Sequence, residues 1–183
     1  MSNFIWPATF AATVIIDDTI LPNGYTINIS MHQLDKKTDL SLGFKKLRYF
    51  VETHLHNSVL IDSSNKRFEH FKDVDNHVIE FPSTPWDYLV GVILYNKFVH
   101  ITDKYFEINY ITIDSSMGDH VSYTVTPETD LGVPIQGNFW WNTDSPSTDI
   151  NSKINWDKLN LKDRTSFSPR IIEGGLKTND KDK

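Results

Sequence analysis

His54-Leu-His56 and a scatter of aspartates are the groups in this 183-residue chain best suited to bind a metal or move a proton. On a strand the two imidazoles would share a face and could hold a transition metal, for which neutral imidazole is a common ligand. On a helix the same spacing turns them roughly 200° apart. Phe44, Leu47, Val51 and Leu55 recur at helical spacing, which puts His54 on the apolar face near a helix end and His56 at its C-terminus, so the pair reads as structural.

Asp17, Asp18, Asp62, Asp114, Asp119, His120 and Asp130 could together offer the oxygen ligands that a magnesium-dependent hydrolysis of phosphates needs. Each lies beside a turn or a strand end, where Asp more often bonds its own backbone. His100 and His120 could act as bases for a Ser nucleophile, but no Gly-x-Ser-x-Gly elbow is present. Gly-rich phosphate loops are absent too. With no Cys, a disulfide scaffold, a thiolate metal site and a cysteine nucleophile are excluded. No metal or other cofactor is expected, and no strong enzyme motif stands out.

Binding chemistry is better represented. Phe139-Trp140-Trp141 sets three large rings side by side in a segment otherwise rich in Ser, Thr, Asn, Asp, Gly and Pro. Adjacent side chains cannot all face one core, and exposed aromatics mark interfaces. The competing reading is an arm strapped across the sheet with alternate rings buried, and an arm exchanged between two copies would combine both. Lys36, Lys37, Lys45, Lys46 and Arg48 form a basic cluster that could touch phosphates. Asp35 and Asp39 partly neutralise it, and such stretches are usually solvated helix faces. Of 18 basic and 24 acidic residues, 8 and 5 fall in residues 153–183, which leaves an acidic body that repels a phosphate backbone. Nucleic acid is therefore not the expected partner; another protein or a second copy of the chain is.

The secondary structure around these groups follows from periodicity. Phe10–Ile16 and Tyr25–Met31 predict an N-terminal hairpin, and Leu21-Pro-Asn-Gly24 suggests a connection longer than two residues. A helix is expected from Leu40 to about Leu55, ended by Asn57, and short strands at Val59–Ile61 and Val78–Phe81 flank a helical turn near Phe68 and Phe71. Thr84-Pro-Trp-Asp87 reads as a capping box opening a helix at Pro85. That helix is apolar almost all round and should be central, with Gly91 permitting close approach. Tyr105–Ile113 and Val121–Thr126 predict a second hairpin.

The expected fold is α+β: a largely antiparallel sheet with two main helices packed on it, plus an extended C-terminal arm. Residues 1–130 would form the globular domain, 131–156 the aromatic-containing arm and 157–183 a polar, disordered tail. The start lacks a signal-peptide pattern, and the longest apolar run is far short of the roughly 20 residues of a membrane span, so a cytoplasmic chain is expected. Abundant Asn, Lys, Asp, Ile, Phe and Tyr are common in products of AT-rich genomes, phage genomes included. The leading expectation is a non-enzymatic protein-binding accessory or inhibitor protein, phage-encoded, that self-associates or binds another protein. The alternatives are a metal-dependent enzyme acting on a nucleotide or nucleic acid, and a structural subunit of a larger assembly.

Overall fold

The computed structural model describes residues 3–74, 77–129, 132 and 137–156. Asp130, most of residues 131–136 and the expected disordered tail lie outside them. Six strands are laid down: β1 (Asn3–Ile16), β2 (Thr19–Gln33), β3 (Ser58–Asp62), β4 (Val78–Phe81), β5 (Phe106–Ser115) and β6 (Tyr123–Val125). The helices are α1 (Ser41–Tyr49), continued by a π-helical turn (Phe50–Leu55), α2 (Phe68–Val74), α3 (Asp87–Thr102) and a short 3-10 turn (Trp140–Asn142).

The strands form one sheet in the order β4-β3-β1-β2-β5-β6. The α+β class is as expected, but the sheet is mixed rather than largely antiparallel. β1 pairs parallel with β3, and β3 pairs parallel with β4. α2 carries the chain from β3 over to β4 in the same direction, whereas α1 leads from β2 into a β3 that runs opposite to β2 and, lying on the far side of β1, therefore parallel to β1. The hairpins give antiparallel neighbours, β1 with β2 through a two-residue turn and β5 with β6 through residues 116–122.

The first hairpin is longer than its alternating core. Ile16 faces Thr19, so Asp17-Asp18 is a two-residue loop, with Asp17 at a φ of 52°. Asp tolerates this left-handed region better than most side chains. The turn-forming Leu21-Pro-Asn-Gly24 therefore lies inside β2, where Pro22 is tolerated because β5 pairing begins at Tyr25. The helical turns end at Leu55, and Asn57, two residues on with a φ of 62°, turns the chain into β3.

One sheet face carries Phe10, Val14, Tyr25, Ile27, Ile29 and Met31 against Leu47, Phe50, Ile93 and Phe98 of α1, its π turn and α3. On the other face α2 places Phe68 over Ile15, Val59 and Ile61. α3 is buried over most of its length, and a Cβ on Gly91 would stand 2.7 Å from Ile113 Cγ2. The expected capping box is not formed: α3 starts at Asp87, no side chain caps it, and Asp87 instead accepts a 2.6 Å hydrogen bond from Ser115 Oγ. Tertiary partnership has taken the carboxylate that local chemistry reserved for a cap. No helix among the described residues is long and apolar enough to cross a membrane.

Candidate functional site: the aromatic strap

Residues 137–156 cross from the outer side of β4 to α1, and their attachment is built on α3. Lys97 is completely buried, and its Nζ donates to the carbonyls of Trp140 and Thr143, the latter at 3.1 Å, and to Thr143 Oγ1 at 3.2 Å. The rings of Phe50 and Trp140 lie 5.8 and 5.9 Å from the same nitrogen. Burial pushes the Lys97 pKa down to about 7, with Asp144 opposing. Every residue of α3 from Val90 to Phe98 is buried, which leaves the lysine nowhere to snorkel, so the carbonyls of the strap must satisfy it.

Phe139, Trp140 and Trp141 divide the labour. Trp140 and Trp141 are both buried in the chain's own core, their rings edge-on at 5.5 Å. Trp140 Nε1 donates to Glu80 O at 3.0 Å. The carbonyls of His77 and Phe81 point to β3, so by strand alternation Glu80 O points outward, and the indole closes the open edge of β4 there. Phe139 stacks on Trp141 at 4.7 Å between centroids and is half-buried. A 3-10 turn, with Asn142 N–H donating to Phe139 O, lets three consecutive rings do this. Further along, Trp156 meets Tyr49 edge-on at 5.5 Å and accepts Lys45 Nζ at its carbonyl, 2.6 Å away.

Between the strap, α2 and β4 lies a cleft of about 370 Å³ lined by Phe68, Val78, Phe139, Trp141 and Ile150, with Lys72, Glu80, Asn138, Thr148 and Asp149 among its polar groups. Ile150 is 42% exposed there.

The other sequence-derived candidates disperse. His56 Nδ1 faces Ala11 N–H at 3.3 Å, whereas His54 lies against Tyr49 and Phe50, so they share no ligand position. Burial pushes the His54 pKa down to about 4, with His77 and Lys97 adding to the shift. Asp17, Asp18 and Asp62 do meet, lining a cleft of about 420 Å³ at the first hairpin turn. Yet Asp62 bonds Ser64 N and Oγ at 2.7 Å, and Asp18 pairs with Lys66 at 2.8 Å. Lys66 lowers the Asp18 pKa, burial opposing. Asp114 pairs with His120 at 3.2 Å, and His100 Nδ1 meets Asn96 O at 2.8 Å. Among the described residues no group of three or more His, Asp or Glu side chains could hold a metal ion. Of the basic cluster, Lys45 is held by Trp156 O and Lys46 lies over the Tyr105 ring at 5.3 Å.

The sequence reading missed Lys97 as the anchor of the strap. Its signal was present: a lysine within a helix otherwise apolar all round has to be partnered or neutral. It also missed the exposed aromatics Trp86, Tyr88 and Tyr123, which are scattered along the chain. No protein-family model matches this sequence, and no curated protein matches it either.

Proposed function

We propose that this chain is a non-enzymatic protein-binding protein, and that the cleft beside the strap receives an apolar side chain of a protein partner. The observation that carries the reading is the Phe139–Trp141 stack, which forms one wall of a concave site with Val78, Phe68 and Ile150. A rigid aromatic wall with a polar rim suits an anchor side chain, which gains apolar burial while charged groups stay at the margin. In this reading Trp140 and Trp141 build the site from within, and Phe139 and Ile150 touch the partner. The dispersed and internally paired carboxylates give a phosphate-hydrolysing centre no comparable support.

The test compares immobilised wild-type protein with the Ile150→Glu variant, after thermal melting has shown both folded. A binding protein retained from extract by the wild type and lost with Ile150→Glu supports the reading. Equal retention by both, or retention by neither, overturns it.

A further inference from the structure

The two outer edges of the sheet are finished differently, and the open one is self-complementary. On the β4 side, Trp140 Nε1 occupies the outward carbonyl of Glu80. β1 extends beyond its pairing with β3, and there Pro7 lies four residues before Ala11, whose backbone groups face away from β2 toward Asn57 and His56. Alternation puts Pro7 on the same outward side, where it removes a donor from the exposed edge. At the other end β6 is outermost, and among the described residues no strand pairs with its outer side. The segment Val121-Ser-Tyr-Thr-Val125 contains no Pro, Gly or charge, so no residue-type block to edge pairing is present, and the shortness of β6, three residues, is the protection that pairing would have to overcome.

Large apolar groups gather beside this edge. Val121 is 55% exposed, and Tyr123 and Tyr88 are exposed with their rings edge-on at 6.1 Å. Trp86, at the start of α3, is exposed as well, and the adjoining Asp87 lies against Gly118.

The segment also reads almost the same in both directions about Tyr123. An antiparallel pairing centred there sets Val121 opposite Val125 of the other copy, Ser122 opposite Thr124, and Tyr123 opposite Tyr123. Those are β-branched, hydroxyl and aromatic pairs, each of a kind that favours antiparallel strands by roughly 0.2–1 kcal/mol, with no like charges opposed. A two-fold axis demands this identity of the two surfaces, whereas a foreign strand would not.

We propose that a second copy of this chain pairs antiparallel with the outer edge of β6 about a two-fold axis at Tyr123, joining two six-stranded sheets into one. Val121, which lies outside the strand in the single chain, is drawn into it, and Tyr88 of each copy flanks the Tyr123 pair. This interface is separate from the cleft beside the strap, and either can fail without the other.

Because the chain has no Cys, single thiols report on the register. Directly opposed Cβ atoms in antiparallel strands stand about 4.5–5.5 Å apart, close enough for a disulfide after slight adjustment. Full-length Tyr123→Cys should oxidise to a covalent dimer. Ser122→Cys and Thr124→Cys should each stay uncrosslinked alone and crosslink when mixed. Sedimentation of the wild type should show a concentration-dependent doubling of mass. Tyr123→Lys, which opposes two charges at the axis, should weaken that association roughly tenfold or more. Ser122→Pro, at an exposed position outside the strand, should do the same without touching the core. A wild type that remains monomeric up to its solubility limit overturns the proposal. So does association unchanged by both variants, or Ser122→Cys alone crosslinking as well as Tyr123→Cys.

Discussion

β4 and β6 close the same sheet at opposite ends, and each has tryptophan or tyrosine rings beside it. At β4 the rings are consecutive in sequence and are folded inward: Trp140 bonds the strand's carbonyl, and its own carbonyl is held by a buried lysine. At β6 the rings come from α3 and the strand itself, and they face solvent. A run of adjacent aromatics therefore says little about exposure. What decides is whether a ring's polar atom and the neighbouring backbone find partners inside, as Trp140 does at both its indole and its carbonyl.

The largest test of this contrast is Trp140→Ala. It should lower unfolding stability in urea by about 3–5 kcal/mol through lost burial and a lost edge closure. If it costs no more than Tyr123→Ala, the strap does not secure the β4 end.

Next is the strap's lysine. With a pKa of about 7 in the folded chain against an ordinary 10.5, Lys97 is protonated in the unfolded chain and neutral in the folded one between those values. The unfolded state then binds the extra proton, so stability should rise by about 1.4 kcal/mol per pH unit above pH 7. Chemical denaturation at pH 7, 8 and 9, below tyrosine ionisation, measures it, and Lys97→Met should remove the slope. A slope that survives Lys97→Met would place its source elsewhere.

Gly91→Ala probes the β6 side, where α3 packs closely on Ile113 of β5 and Val125 of β6. The added methyl meets Ile113 at 2.7 Å and should cost about 1–3 kcal/mol of stability. The smallest effect is expected at Tyr88→Ala, whose exposed ring should change single-chain stability by less than about 1 kcal/mol, measured at a concentration too low for association.

Element types were legible because they rest on local periodicity. The long α3, the π-extended first helix with Asn57 just past its end, and both hairpins follow from apolar spacing and turn residues. The connection of the first hairpin was not, because Asp17-Asp18 and Pro22-Asn-Gly24 offer two competing turns and pairing along the whole of β1 selected the first. Of the site, the three rings were legible as a feature, but their depth was not. Burial of Trp140 depends on β4 being an edge and on Lys97, which lies 43 residues away, having no route to solvent.

The amino-acid sequence alone determined the absence of thiol chemistry, the acidic body, the all-round apolar α3 and most strand and helix positions, since each is a property of composition or of a pattern a few residues long. The tertiary structure decided the mixed strand order, the partner of Asp87, the depressed pKa of Lys97 and which aromatic rings meet water. Those depend on groups far apart in the chain being brought within a few ångströms, and no local period records that pairing.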